Sequence, residues 1–329
     1  MELLRAAGIR GTGSYLPEKV LDNATLEKMV DTSDEWITTR TGIKERRVVP
    51  DHQATSDLAI EAARRAIEAA ALGPNDIDLI IVATITSDCL FPAVAVQVQN
   101  ALGCERAGGF DISSACAGFI SALTTGWQFV RSGAHDNVLV IGAETLTRIV
   151  NYEDRTSCIL FGDGAGAVVL SSEFERGELL GSFLRVDGSG YEIMWVPAGG
   201  SRTPLTPQLL EQHRHCMHIR GREVYKFAVN RMVELVMLEK NRNPHIPLGL
   251  VIPHQVNMRI IESARERLEL SPERVITNIE RVGNTSAASI PIAFDEAVRS
   301  GRLDRELGKL VVFCAFGAGL SWGSISLRW

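Results

Sequence analysis

The sequence repeats one pattern of segments twice, and this duplication restricts the possible folds more than any other feature. An apolar run that follows a long helical segment occurs as DLIIVATIT at 78–86 and again as LGLVIPHQV at 248–256. A second apolar run occurs as NVLVIGAET at 137–145 and as KLVVFCAFG at 309–317. β-Branched runs that alternate with helices are typical of an α/β protein. We therefore predict two similar α/β halves that pack together.

Small-residue segments between these runs support the same division. SSACAGFISAL at 113–123 and GNTSAASIPIAF at 283–294 each lead from a turn into an apolar helix. The predicted halves are residues 1–172 and 173–329. The stretch 198–221 interrupts the second half with Pro, Gly and polar residues, and we expect it to form an insertion over one face.

Composition excludes several classes of protein. The chain has 329 residues, of which 45% are hydrophobic, and a net charge of −6, which argues against nonspecific nucleic-acid binding. Its start lacks the basic-then-apolar order of a signal peptide, and no run approaches the roughly 20 apolar residues of a membrane span. Six cysteines without CxxC spacing argue against a structural zinc site and a disulfide framework. We expect a cytoplasmic enzyme with reduced thiols.

Cys116 is the first candidate for chemistry. Apolar residues at helical spacing follow it, and Gly133 is the predicted stop. A cysteine at a helix N-terminus is exposed to the helix dipole, which favours the nucleophilic thiolate. Its small neighbours leave room for a ligand beside the backbone.

Two other motifs carry a weaker signal. GDGAG at 162–166 lacks the residues of a phosphate loop and indicates close packing. HRHCMH at 213–218 has the residue types of a zinc site, but a polar stretch of the insertion is the favoured explanation. The sequence leaves metal binding there open, and the predicted chemistry requires no metal.

Six ordered motifs resemble those of the β-ketoacyl-acyl carrier protein synthase III family, the condensing enzymes that initiate type II fatty-acid synthesis. The resemblance covers nearly the whole chain. It implies a thiolase-like α/β fold of two βαβαβαββ halves in αβαβα layers, and acyltransferase activity without a cofactor. The motifs are DTSDEWITTRTGIKERR, SSACAGF, DRTSCILFGDGAGAVVL, PHQVNMRII, GNTSAASIP and FGAGLSWG.

The resemblance implies a catalytic triad of Cys116, His254 and Asn284. Cys116 would take an acyl group from acyl-CoA as a thioester. Malonyl-acyl carrier protein would then lose carbon dioxide, and the enolate would attack the acyl-cysteine. His254 and Asn284 would stabilise that enolate, while the backbone N–H groups of Cys116 and Ala318 would form an oxyanion hole.

The resemblance also implies how substrates and a second copy bind. Trp36 and Arg155 would hold the CoA adenine between them, and Arg40 would approach the phosphates. Phe91 would reach across a homodimer to close the partner's acyl pocket.

An acidic chain needs a local basic surface to bind acyl carrier protein, which is acidic in this family. The resemblance places Lys226 beside Arg259, Arg265 and Arg267 of the following helix as that surface. A merely solvated helix face would show the same charges.

Three alternatives remain open from the sequence. A starter enzyme of polyketide or alkylquinolone synthesis would share the triad and differ in its acceptor. A thiolase would need a second catalytic cysteine near the last glycine-rich motif. Cys314 precedes FGAG by two positions, and a strand residue displaced by one place from the required position points to the opposite face. A noncatalytic acyl-binding protein on this fold is the third.

Overall fold

A single mixed sheet with helices on its faces forms the framework of residues 4–329, which the computed structural model describes. The strands are β1 Gly8–Tyr15, β2 Val20–Asp22, β3 Glu45–Arg47, β4 Leu79–Ala83, β5 Gly108–Ile112, β6 Asn137–Thr145, β7 Asp163–Ser171, β8 Glu178–Val186, β9 Met194–Trp195, β10 His218–Ile219, β11 Leu248–Pro253, β12 Leu310–Gly317 and β13 Ser321–Arg328.

The helices connect these strands in chain order. They are α1 Asn23–Leu26, α2 Asp34–Thr41, α3 Thr55–Ala69, α4 Val94–Leu102, α5 Gly118–Arg131, α6 Pro207–Glu211, α7 Gly221–Arg242, α8 Met258–Arg267, α9 Ile279–Val282 and α10 Ser289–Arg299. Two 3₁₀ turns, Ala115–Ala117 and Ser286–Ala288, immediately precede α5 and α10.

The order of elements repeats, as the sequence predicts. The first series β1-α3-β4-α4-β5-α5-β6-β7 reads βαβαβαββ. The series from β8 to β13 has the same order, except that its third strand is reduced to one parallel bridge between Val251 and Val275. The sheet runs β11-β12-β13-β8-β1-β7-β6-β4-β5, and one residue pair, Gly8 with Glu178, joins β1 to β8.

Alternating side chains of the strands divide the core into layers. In the first series, Ile80 of β4 packs in a cluster with α3 and α4, while its neighbour Ile81 packs against α5. In the second, Phe313 of β12 shares the cluster of α5 and α10, and Cys314 belongs to the cluster of α7 and α8. Because α5 and α10 contact both halves of the sheet, the layers follow the order αβαβα.

The predicted insertion contains α6 and β10. β10 pairs with β9, and Met217 packs in a cluster with Leu146 and Phe161 from the first half. The insertion therefore covers the ends of first-half elements. Among residues 4–329, no helix is both long enough and apolar enough to cross a membrane.

Candidate active site

Cys116 lies in the 3₁₀ turn between β5 and α5, and its side chain is buried. The preceding residue, Ala115, has a left-handed φ of 45°. Ser286 occupies the corresponding position before α10 and has a φ of 47°. The duplicated turns therefore share an unusual backbone conformation, which is uncommon for residues other than glycine.

Gly317, at the end of β12, packs directly against the 3₁₀ turn that carries Cys116. A Cβ atom at this position would lie 2.8 Å from the backbone N and 3.0 Å from the Cβ of Cys116. Only glycine leaves room for this approach. The FGAG motif thus positions Cys116 from the opposite half of the molecule.

His254 follows β11 and is completely buried. Its backbone N–H donates to Cys314 O at 2.8 Å, and its ring packs edge-on against Phe316. Burial lowers the pKa of the imidazole to about 3, so the ring is neutral at physiological pH.

The ring nitrogens of His254 have different surroundings. Nδ1 lies 2.7 Å from Ser289 Oγ, and that oxygen accepts a bond from the Gln255 backbone N–H at 3.4 Å. Where the Ser289 hydroxyl donates its proton to Nδ1, the ring proton is on Nε2. Nε2 is buried and has no hydrogen-bond partner among residues 4–329. A substrate oxygen would satisfy this donor.

Asn284 is held by its backbone and by its own side-chain oxygen. Its N–H donates to Leu160 O at 2.9 Å, and its carbonyl accepts from Gly162 N–H at 3.1 Å. Its Oδ1 accepts from Ser286 N–H at 2.9 Å. Because the oxygen is engaged, the amide NH₂ group is the end available to donate.

A small apolar cavity opens beside Cys116. Its volume is about 60 Å³, and of the predicted site residues Cys116 and Ala318 line it. The other lining residues are Ile85, Ala115, Leu146, Ile149, Phe161, Met194, Trp195, Val196, Met217 and Ser286.

The state of the Cys116 thiol differs from the sequence-based expectation of a thiolate. Burial raises the pKa of the thiol to about 12, the Ser286 hydroxyl lowers it, and the Glu144 charge raises it. The dipole of α5 favours the thiolate, whereas removal of Cys116 from water disfavours it, and burial is the largest influence on this pKa. The free thiol is therefore protonated at neutral pH.

Comparisons with known proteins identify the family. Models described as "3-Oxoacyl-[acyl-carrier-protein (ACP)] synthase III" and its C-terminal part match residues 110–188 and 238–329. Beta-ketoacyl-[acyl-carrier-protein] synthase III of Caldanaerobacter subterraneus subsp. tengcongensis is 53% identical over 98% of this chain and 98% of its own.

The chain belongs to the β-ketoacyl-acyl carrier protein synthase III family.

Solved structures agree with this membership. The 3-oxoacyl-[acyl-carrier-protein] synthase III of Aquifex aeolicus has a TM-score of 0.90 and 44% identity, covering 98% of this chain and 100% of that one. The priming β-ketosynthase of the R1128 polyketide pathway has a TM-score of 0.91 and 32% identity, covering 100% and 98%. The synthase III family assignment, the thiolase-like fold and the class of condensing acyltransferase that initiates fatty-acid synthesis are confirmed.

The three residues that the synthase III motifs assign to CoA lie together on the surface. The guanidinium groups of Arg40 and Arg155 are 4.5 and 5.2 Å from the centre of the Trp36 ring. Arg155 also pairs with Asp31 at 3.1 Å. Both arginines are exposed, so they are accessible to a ligand.

The basic residues of α7 and α8 are not equivalent. Lys226, Arg259 and Arg267 are exposed. The Arg265 side chain is only 16% exposed and binds the Glu262 carboxylate at 2.7 Å. Arg265 therefore has little free charge to offer a partner.

Phe91 does not line the cavity of its own chain. It lies between β4 and α4 and is 83% exposed, next to Leu90, which is 92% exposed. Two such apolar side chains in one loop are available to a second protomer.

The side chains of the His/Cys stretch 213–218 have different surroundings. His213 Nε2 lies 3.1 Å from Glu153 Oε2, and Cys216 is buried. In the part of the chain that the structure describes, no group of three or more His, Cys, Asp or Glu side chains is arranged to hold a metal ion.

Three polar residues near the site are absent from the sequence-based prediction: Glu144, Ser286 and Ser289. Glu144 offered one signal, because it is an ionisable residue near the end of the apolar run of β6. Ser286 and Ser289 lie in the GNTSAASIP motif, where nothing in the spacing separates them from packing residues.

Proposed function

We propose that this synthase III condenses an acyl-CoA primer with malonyl-acyl carrier protein through an acyl-Cys116 intermediate. Cys116 Sγ attacks the thioester carbon of acyl-CoA, and CoA leaves. The backbone N–H groups of Cys116 and Ala318 are suited to hold the oxyanion, because both residues line the same cavity. The carbanion comes from loss of carbon dioxide, so the reaction requires no cofactor.

The second half-reaction depends on two neutral donors. As malonyl-acyl carrier protein loses carbon dioxide, negative charge develops on its thioester oxygen. His254 Nε2–H and the Asn284 amide donate to this enolate, whose carbon then attacks the acyl-cysteine and releases Cys116.

One observation carries the proposal most strongly: the state of His254. Its low pKa keeps the ring neutral, and the Ser289 contact suits the tautomer with the proton on the buried Nε2. A general base would need a pKa near the operating pH, whereas a donor to an enolate needs only the N–H. The surroundings of His254 therefore support the donor role.

The cavity supports a short primer. Its volume is about 60 Å³ and its lining is almost entirely apolar, which suits a short acyl chain. We propose acetyl-CoA or a similarly short acyl-CoA. Relative rates with acetyl-CoA, isobutyryl-CoA and octanoyl-CoA test this choice.

We further propose the binding surfaces for the substrates. Trp36, Arg40 and Arg155 bind CoA, because one aromatic ring and two exposed guanidinium groups suit an adenine with its phosphates.

The exposed basic residues Lys226, Arg259 and Arg267 bind acyl carrier protein. Arg222 and Arg231 line a groove with Lys226 and extend this surface, whereas the engaged Arg265 contributes little.

We also propose that the protein is a homodimer and that it is cytoplasmic. The exposed Leu90 and Phe91 support a homodimer in which Phe91 closes the partner's pocket. Six free cysteines support a reducing, cytoplasmic location. The division at residues 172 and 173, in the connection between β7 and β8, remains a prediction.

Separate measurement of the two half-reactions tests the mechanism. Cys116→Ser is expected to form no stable acyl-enzyme with radiolabelled acyl-CoA, whereas Cys314→Ala, a change at another buried cysteine, keeps the label.

His254→Ala or Asn284→Ala should lower malonyl decarboxylation by about a hundredfold, or roughly 3 kcal/mol, and leave acylation substantial. Loss of acylation with intact decarboxylation would reverse the assigned roles.

A further inference from the structure

The cavity beside Cys116, here called the acyl cavity, shares a wall with a larger cleft at the insertion. The cleft has a volume of about 520 Å³, and the acyl cavity has a volume of about 60 Å³. Trp195 and Met217 line both spaces, whereas every other lining residue belongs to one space alone. These two residues therefore form the boundary between the acyl cavity and the cleft.

Two adjacent strands hold this wall in place. Trp195 is the last residue of β9 and is paired with His218 of β10. Met217 immediately precedes β10 and is buried, and its backbone N–H donates to Ile149 O at 2.7 Å. Its side chain packs in a cluster with Phe161, which also lines the acyl cavity. Because Trp195 and Met217 line the cleft as well, the wall is one residue thick at this point.

The two sides of the wall differ in chemistry. The lining of the acyl cavity is almost entirely apolar. Most residues that line the cleft are polar or charged, and they include Asp154, Glu192, Arg214 and Arg220. The residues proposed above to bind CoA do not line the cleft, so it is separate from that surface. The acyl cavity therefore suits an alkyl chain, whereas the cleft suits a polar group.

We propose that Trp195 and Met217 set the upper length of the primer. They close the acyl cavity, and a longer acyl chain on Cys116 is excluded because its end meets this wall. Both are specificity-determining residues and take no part in the bond changes at sulfur. The inference rests on the proposed acyl-Cys116 mechanism and deepens it, because it assigns the choice of primer length to two residues of this chain.

Truncation of a wall residue has a different effect from truncation elsewhere in the lining. A lining residue with packed protein behind it leaves only the volume of its lost atoms. Truncation of Trp195 or Met217 joins the acyl cavity to the cleft, so the space gained is several times larger than the acyl cavity itself. The end of a long acyl chain then lies among the polar groups of the cleft.

The test compares the rates at which acetyl-CoA and octanoyl-CoA acylate Cys116 in the full chain, measured by intact-protein mass spectrometry. The readout is the octanoyl-to-acetyl rate ratio, because general damage to the fold or to the thiol lowers both rates together. We expect Met217→Ala to raise this ratio by about tenfold or more over wild type, since the variant provides room for additional methylene groups. Trp195→Ala is expected to raise it at least as much.

Met194→Ala is the matched control for Met217→Ala. Met194 precedes Trp195 in β9 and lines the acyl cavity, but it does not line the cleft. The two variants remove the same atoms from the same cavity, and only one of them opens the wall. We therefore expect Met194→Ala to raise the octanoyl-to-acetyl ratio by no more than about threefold.

A primer with a polar end distinguishes a joined cavity from one that is merely enlarged. In Met217→Ala, 8-hydroxyoctanoyl-CoA should acylate Cys116 at a rate within about twofold of that of octanoyl-CoA, because the hydroxyl group reaches the polar cleft. An enlarged but closed apolar cavity would bury the hydroxyl group without a partner. Acylation by 8-hydroxyoctanoyl-CoA would then be about tenfold slower than by octanoyl-CoA.

Equal octanoyl-to-acetyl ratios in Met217→Ala and Met194→Ala would overturn the inference, and so would the slower reaction of the hydroxylated primer. If one wall variant does not fold, as judged by circular dichroism, the other decides against the same control. Acylation of wild type and all variants with one unchanged ratio removes the inference and leaves the proposed function in place. A wild-type chain that takes no acyl group from any acyl-CoA removes the proposed function, and the inference with it.

Discussion

At the scale of single residues, the surroundings of His254 determine which proton it can use. Ser289 Oγ lies 2.7 Å from Nδ1, and burial without a charged partner keeps the ring neutral. An imidazole in this state can donate from Nε2 to a developing enolate. The same ring without Ser289 could carry its proton on either nitrogen.

Ser289→Ala tests this control of the tautomer. Because the variant removes the donor to Nδ1, we expect malonyl decarboxylation to fall by about tenfold, the effect of one lost hydrogen bond of about 1.5 kcal/mol. Acylation of Cys116 by acyl-CoA should change little. Release of labelled carbon dioxide and mass of the acyl-enzyme measure the two steps, and equal losses in both would argue against a specific effect on His254.

At the scale of elements, the duplication places a 3₁₀ turn with a left-handed first residue before each of the two central helices, α5 and α10. The turn before α5 carries Cys116 after Ala115, and the turn before α10 carries Ser286 two residues after Asn284. Equivalent backbones thus hold different chemical groups, the nucleophile in one half and a hydroxyl beside an amide donor in the other. The site exists because α5 and α10 pack in the same central layer.

The basic surface on α7 and α8 belongs to this scale as well. Arg259→Glu is expected to raise the KM for malonyl-acyl carrier protein by about tenfold or more, because it places a negative charge against an acidic partner. Added salt should weaken wild-type binding. Arg64→Glu on α3 is the matched control, since it makes the same charge change at another exposed helix position.

Steady-state kinetics at low ionic strength with both substrates measure this effect. Acylation by a short acyl-CoA should change less than the carrier-protein KM. Unaltered carrier-protein kinetics in Arg259→Glu would mean that the partner docks elsewhere.

At the scale of the whole molecule, the ionisation of two buried groups changes the free energy of unfolding with pH in opposite directions. Burial raises the pKa of Glu144 from 4.5 to about 7, so its contribution is present below about pH 4.5 and is lost as pH rises through 7. Burial lowers the pKa of His254 from 6.5 to about 3, so its contribution is present above pH 6.5 and is lost as pH falls toward 3.

Single variants separate the two contributions. Relative to wild type, Glu144→Gln should gain up to about 3 kcal/mol in unfolding free energy as pH rises from about 4.5 to about 8. His254→Gln should show the opposite slope and gain relative stability as pH falls. Urea unfolding across this range measures both, and parallel curves for variant and wild type would show that neither ionisation is coupled to folding.

The sequence by itself determined the family and the duplicated α/β architecture, because motif order and apolar periodicity can be read without coordinates. The resemblance to the family implied the αβαβα layers. It also predicted that Cys314 lies on the opposite strand face from a thiolase's second cysteine, and Cys314 packs in the cluster of α7 and α8. The predicted triad rests on motifs, and its roles remain proposals.

Only the tertiary structure decided the ionisation states and the contacts around the site. Cys116 is enclosed by Gly317 and by the insertion that carries Met217, so its thiol is protonated where a helix tip in water would favour a thiolate. Glu144 and Ser286 are far apart in sequence, and the packing of β6 on the turn before α10 brings their elements together. Desolvation and long-range proximity depend on how the two halves pack, and no pattern within a single segment encodes either.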